Sequence, residues 1–459
     1  MTIERVRGSY RDPSGFVYQA DGTLYRQVNT TFADEFDACE SSGLYDDLSA
    51  SGLLIDHERV ALEHAVTPEA HAVLRPTRVD FISYPYEWSF GELKDAALLT
   101  LDVQKKALER GFILRDASAY NVQFQDGRPI FIDTLSFERR VEGRPWNAYK
   151  QFCEHFLVPL TLMSECDVRC EQLLRPNVDG IPLDFGSRLL PARTWLAPGT
   201  LLHIHLHARA GHRYREASVS DVARTRSVTT RTLIALADSL RGVVERCDWR
   251  PTGTKWANYE HDHNYDDAAL EAKRRLVHDF VAAAQPKTVW DMGGNTGMFS
   301  RVARTVAPSV VCFDVDPGAV EQNYRRVRSA GETGILPLLL DLMSPSPALG
   351  WANEERLSIE ARGPADVVMA LALVHHLAIA HNVPLPRVAE AFARLGRTLV
   401  IEFVPKSDSQ VGRLLRNRAD IFPDYTEPEF ERAFSDHFVI ESRASIPGSE
   451  RSLYRMRRR

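Results

Sequence analysis

The second half of the chain predicts an α/β fold, a seven-stranded and mostly parallel sheet with helices on both faces, preceded by a separate α+β domain. Three observations carry that expectation. Short β-branched runs alternate with helical stretches from Thr288 onward, a glycine-rich turn joins the first run to its helix, and the second and third runs each end on an aspartate.

The runs of the second half are TVW (288 to 290), VVCF (310 to 313), ILPLLL (335 to 340), DVVMAL (366 to 371) and TLVIEF (398 to 403). Phe299, Val302, Ala303 and Val306 mark one intervening helical face, and Leu385 to Leu395 marks another. After the fifth run the rhythm changes to a helix, FVIES (438 to 442), a turn at Pro447 and Gly448, and SLYRM (452 to 456), the pattern of an antiparallel hairpin. The first half opens with FVYQ and TLYRQV as hairpin strands, turned at Asp12 to Gly15 and at Ala20 to Gly22. A helical stretch near Phe32 to Cys39 follows, residues 78 to 88 read as a strand leaving into a loop, and Leu93 to Arg110 reads as a long helix. Trp146 to Leu160 reads as a further helix.

Open parallel sheets bind ligands at the carboxyl ends of their strands, and the polar residues of the second half fall there. Asp291-Met-Gly293-Gly294-Asn295-Thr-Gly297 follows the first strand; its glycines permit a tight turn and close backbone approach. Asp314 ends the second strand, where a carboxylate can accept both hydroxyls of a ribose. Asp341 and Leu342 end the third strand, and the fourth runs from Ala370 into His375 and His376.

This ordered set resembles class I S-adenosylmethionine-dependent methyltransferases, with their Rossmann-like sheet, over residues 256 to 459. It is similar more loosely to methyltransferases of specialised metabolism and of nodulation-factor loci. The resemblance implies S-adenosylmethionine as cofactor, held by Asp291, Gly293, Gly294, Asn295, Gly297, Asp314, Asp341, Leu342 and Ala370. Asn295 stands where the family commonly has glycine. A GxGxxG dinucleotide loop, the mark of a dehydrogenase, is absent.

Methyl transfer needs an aligned nucleophile and, for a protonated one, a base. His375 and His376 are the candidate bases, against the alternative that both merely pack or cap, and Glu402 at the end of the fifth strand is a candidate for touching substrate or for pairing with an arginine. Trp256 to Tyr265, dense in aromatics and histidines, precedes the first strand where such enzymes often cover the cofactor.

In the first half, Arg115-Asp116 with Asn121, and Asp133 on a following strand, resemble the catalytic loop and metal-binding aspartate of protein-kinase-like phosphotransferases. The pattern is reduced. No GxGxxG loop precedes residue 90, Thr134-Leu135 follows Asp133, and Arg26 is the sole cation on the third hairpin strand. An active kinase, a nucleotide- or substrate-binding pseudokinase and an architectural domain remain open. His203, His205 and His207 would share one face of a strand and could bind zinc; on a helix only 203 and 207 would, and metal binding is not expected.

The domains expected are therefore 1–245 and 246–459, since 459 residues exceed one ordinary core. A net charge of −6 offers no general attraction to nucleic acid or anionic membrane, and no long apolar run appears, so a cytoplasmic protein is expected. The 6 scattered cysteines suit free thiols. The sequence thus reads as a methyltransferase acting on a small-molecule, glycan or protein acceptor, with a bifunctional phosphotransferase and a non-catalytic cofactor-binding module as alternatives.

Overall fold

The computed structural model describes residues 3–210, 228–251, 267–416 and 419–459. Two compact units emerge, one formed by Met1–Arg250 with Ala348–Arg356, the other by Pro251–Pro347 with Leu357–Arg459. The division falls a few residues beyond 245/246. Residues 245–248 are fastened within the first unit, where the Lys94 ammonium donates to the carbonyls of Glu245 and Cys247 and the Ser164 hydroxyl to that of Asp248. Ala348–Arg356 joins the same unit through Glu355, which accepts from Arg11 and Tyr10, and through the Arg356 guanidinium, 3.8 Å from the Tyr120 ring centroid.

In the second unit the parallel strands β10 (Thr288–Met292), β11 (Ser309–Asp314), β12 (Ile335–Leu339), β13 (Ala365–Ala370) and β14 (Gly396–Phe403) are joined by antiparallel β15 (Phe438–Ser445) and β16 (Ser452–Arg458). Their spatial order is β12-β11-β10-β13-β14-β16-β15. Counted from β10 this is 3-2-1-4-5-7-6, so the strand order reverses beside the first strand, between β10 and β13, the place where open parallel sheets bind their ligands. Val289, Val310, Val367, Met369 and Val400 bury one face of the sheet together with Val277 and Val281 of the Asp267–Ala282 helix. Each such side chain removed from water contributes about 1.5–3 kcal/mol. The near-continuous apolar runs follow from burial on both faces.

The first unit holds a five-stranded antiparallel sheet in the order β1 (Ile3–Arg5), β2 (Gly15–Ala20), β3 (Thr23–Asn29), β5 (Ala70–Pro76), β4 (His57–Val60), and two short antiparallel pairs, β6 (Phe112–Leu114) with β9 (Phe137–Arg139) and β7 (Val122–Gln125) with β8 (Arg128–Phe131). The β2–β3 hairpin turns through Asp21 and Gly22 at φ 46° and 84°, the left-handed pair that a two-residue hairpin loop needs. The long helix spans Phe90–Glu109 and starts on a capping box between Ser89 and Glu92. Residues 78–88 form no strand; strand β5 ends at Pro76 and a short 3-10 turn occupies Pro85–Glu87. Side chains take the N–H groups a partner strand would have taken: Ser83 N–H donates to Gln123 Oε1 and Tyr84 N–H to Glu87 Oε2, both at 2.9 Å. Among the described residues no helix is long and apolar enough to cross a membrane.

Candidate active site

The turn after β10 is built by backbone constraint. Gly293 and Gly297 lie at φ 74° and 81°, where a side chain is strained, and Asn295 at φ 51° is the residue type other than glycine that tolerates this region best. Asn295 works locally: its Oδ1 accepts the Thr296 N–H at 2.8 Å, and its own N–H donates to Asp314 Oδ2 at 2.8 Å. Gly294 is required by space, since a Cβ there would stand 2.5 Å from Cys312 Sγ and 2.7 Å from Asp291 Oδ2. We expect Gly294→Ala to cost about 1–3 kcal/mol of stability, read as a lowered Tm, and an unchanged Tm would contradict this packing.

The two acids behind the turn are both buried. Asp291 accepts the Ser300 hydroxyl at 2.6 Å, and burial pushes its carboxyl up to about 6 despite that bond. Asp314 accepts the N–H groups of Asp316 and Asn295 at 2.9 and 2.8 Å; burial again dominates and raises it to about 6. Leu340 N–H donates to the Asp314 carbonyl, which brings the ends of β11 and β12 together. Asp341, just beyond β12, is exposed and accepts the Met343 N–H at 2.8 Å; Leu342 is half-buried. Ala370 is fully buried, paired with Ile401, and what it offers the crevice is the strand end from which the histidine turn departs.

The structure thus gathers Asp291, Gly293, Gly294, Asn295, Gly297 and Asp314 around one turn. Residues that the sequence reading missed also lie here. Val315, between two aspartates, keeps 57% of its surface exposed. Leu373 stands 3.3 Å from where a Gly293 Cβ would be, and the fully buried Asn323 amide, without a hydrogen-bond partner, lies 2.6 Å from the corresponding point at Gly297. None of these has a sequence signature, because each is recruited by packing.

His375 and His376 follow β13, with ring centroids 4.2 Å apart. His375 is 2% exposed and its Nδ1 has no partner; burial, reinforced by His376 and Arg451, holds it far below the ordinary imidazole value and so neutral. His376 is half-buried. Glu402, a candidate for touching substrate or for pairing with an arginine, pairs with Arg451. It is fully buried, accepting from Lys273 Nζ at 2.6 Å and from the Ala372 N–H at 2.8 Å, with Arg451 Nη1 at 3.4 Å, so its carboxylate is engaged by the protein itself. The aromatic stretch 256–265 lies outside the described residues.

In the first unit Asp116, Asn121 and Asp133 do meet. Asp116 accepts from Ser118 N–H and Gln151 Nε2, Asn121 Nδ2 donates to Ser136 Oγ at 3.3 Å, and Ser136 Oγ donates to Asp133. Arg26, on β3, closes the cluster with an ion pair to Asp133. Burial works to raise Asp133, but the Arg26 guanidinium and the Ser136 hydroxyl outweigh it and hold the carboxyl below its usual value. Asp116, raised by burial and by the Asp133 charge, has no such cation. A protein cation therefore sits where a metal–phosphate complex would need the Asp133 oxygens. Magnesium ATP is expected to leave the Tm unchanged, and a rise abolished by Asp133→Asn would overturn that expectation.

The three histidines near 205 lie on a helix with a π turn, not a strand. His203 bonds the Tyr149 and Ser239 hydroxyls, His205 bonds the Ser187 and Thr194 hydroxyls, and His207 stacks on Tyr149 at 4.6 Å, so 203 and 207 share Tyr149 while 205 has partners of its own. Among the described residues no group of three His, Cys, Asp or Glu could hold a metal ion.

No family model matches this chain. Nodulation protein NoeA of Rhizobium meliloti (strain 1021) is 38% identical over 465 residues, covering 99% of this chain and 96% of that protein. Among solved structures, N-methyltransferase NodS from Bradyrhizobium japonicum WM9 in complex with S-adenosyl-L-homocysteine is 11% identical, covering 42% of this chain and 89% of that chain with a TM-score of 0.32. Magnesium protoporphyrin IX methyltransferase from Synechocystis PCC 6803 with bound S-adenosylhomocysteine is 17% identical, covering 44% and 93% with a TM-score of 0.31.

Proposed function

The chain belongs to the family of nodulation protein NoeA, and on that premise we propose that its C-terminal unit is an S-adenosylmethionine-dependent methyltransferase acting on a small-molecule, glycan or protein acceptor. The observation that carries the reading is Asp314, a buried carboxylate at the carboxyl end of β11 bonded to the Asn295 N–H of the glycine turn. Acid and turn form one cradle. Its chemistry fits the cofactor: Asp314 retains acceptor capacity for ribose hydroxyls, the turn carries no bulk at Gly293 or Gly297, and the Asn323 amide beneath Gly297 has unused hydrogen-bonding atoms. Val315 offers an exposed aliphatic face, and Asp341 an exposed acceptor, for an aromatic base with an amino group.

When bound, S-adenosylmethionine supplies an electrophilic methyl group. The protein's own part is alignment and proton removal. His376, the less buried of the pair, takes the acceptor's proton, while His375 stays uncharged beside it and keeps a second positive charge out of the site. The Arg26–Asp133 ion pair favours a non-phosphorylating role for the N-terminal unit, presenting substrate or organising the protein. Isothermal titration with S-adenosylhomocysteine tests the reading, with one-to-one binding expected. Absence of binding to folded protein at millimolar ligand would remove its basis.

A further inference from the structure

Glu402, Lys273, Arg451 and Asp408 form a buried ionic cluster in the second unit. Lys273 and Arg451 are each 3% exposed at the side chain, Glu402 not at all and Asp408 9%. Arg451 grips Asp408 with Nε at 2.7 Å and Nη2 at 3.2 Å and reaches Glu402 Oε1 at 3.4 Å, while Lys273 holds Glu402 Oε2 at 2.6 Å. Two cations face two anions, so the cluster is neutral.

A hydrogen bond ties this cluster to the turn that follows β13. Glu402 Oε2 also accepts the N–H of Ala372 at 2.8 Å, and Ala372 sits at φ 50°, a left-handed conformation an alanine keeps only when held. The next residue, Leu373, packs against Gly293 of the cofactor turn, and His375 and His376 follow. Lys273 extends the same cluster toward the glycine turn: its Nζ lies 4.8 Å from the ring centroid of Phe299, in the helix that the turn opens.

We propose that Glu402 is a positioning residue, whose carboxylate clamps the strained Ala372 turn and so sets the placement of the His375–His376 pair and of Leu373 against the cofactor turn. The inference rests on the methyltransferase reading for its significance, but the clamp itself is testable without the acceptor. Glu402 then acts on the reaction through the turn that it holds, as a positioning residue and not a catalytic one.

Two double variants separate clamp from charge. Glu402→Gln with Lys273→Met keeps an oxygen for the Ala372 N–H and keeps the cluster neutral; Glu402→Leu with Lys273→Met is equally neutral but has no acceptor. Protein labelled with ¹⁵N-histidine, with the ring signals assigned by His375→Asn and His376→Asn, reports the imidazole environments by NMR. The Gln variant should keep wild-type ring signals and S-adenosylhomocysteine affinity. The Leu variant should shift the His375 and His376 signals and weaken S-adenosylhomocysteine about five- to tenfold. If the Leu variant does not fold, Glu402→Asp asks the same question, since charge is kept and reach shortened by one methylene; displaced ring signals are expected. Unchanged histidine signals in a folded Leu variant, or in Glu402→Asp, overturn the proposal. Failure of wild-type protein to bind S-adenosylhomocysteine would instead remove the methyltransferase reading and leave the clamp to be judged by the ring signals alone.

Discussion

Asp314→Ala is expected to weaken S-adenosylhomocysteine binding about 10- to 150-fold, roughly 1.5–3 kcal/mol, because an ionised acceptor serving two hydroxyls is removed. The wild-type affinity should also depend on pH, and the sign is set by burial. Asp314 and Asp291 are both raised to about 6, so above that pH each is ionised and Asp314 accepts; below it a proton occupies the acceptor and affinity falls. Stability runs the other way. A carboxyl whose folded value lies above its unfolded one favours the folded state when protonated, so this pair opposes folding above about pH 6 and ceases to do so as the pH drops toward 4. Cofactor affinity and the contribution of these acids to stability should therefore diverge between pH 7 and 5. Titration calorimetry across that range checks it, and a flat affinity profile in wild type would show that no carboxyl titrating between pH 7 and 5 governs cofactor binding.

Replacing both His375 and His376 by Asn should cut methyl transfer about 10²- to 10⁴-fold while leaving S-adenosylhomocysteine affinity nearly constant. The structure divides that loss unequally. His376→Asn alone should account for most of it, since His375 is buried and too weak a base to hold a proton near neutral pH. Transfer of a radiolabelled methyl group to a screened set of small-molecule and oligosaccharide acceptors measures it. Full activity in the double variant would leave alignment as the whole of the protein's contribution.

Much of this architecture is written in local pattern. The strand cores TVW, VVCF, ILPLLL and TLVIEF lie within or largely over β10, β11, β12 and β14, because strands buried on both faces demand unbroken apolar runs. The Leu385–Leu395 helix matches residue for residue. Residues 78–88 were illegible for the opposite reason: the partner of Ser83 is the side chain of Gln123, forty positions away, and no periodicity announces it. At the site, the glycine turn and the strand-end acids are visible because backbone geometry restricts the residue type. Glu402 looks like any acid at a strand end, and only the arrival of Lys273 and Arg451 from distant parts of the chain makes it a clamp. Arg26 is likewise conspicuous in sequence as a lone cation, yet its pairing with Asp133 is decided by how β3 lies against the loop.

Strand β16 is the last of the seven in chain order but lies between β14 and β15, antiparallel to both. During synthesis, then, the first five strands can assemble while the edge of β14 stays bare, and β15 has nothing to pair with until residues up to 458 have emerged. Arg451, at the threshold of β16, arrives at the same late moment and brings the cation that Glu402 and Asp408 share. Until that hairpin adds to the sheet, the edge of β14 is open and the acidic pair lacks one of its two cations.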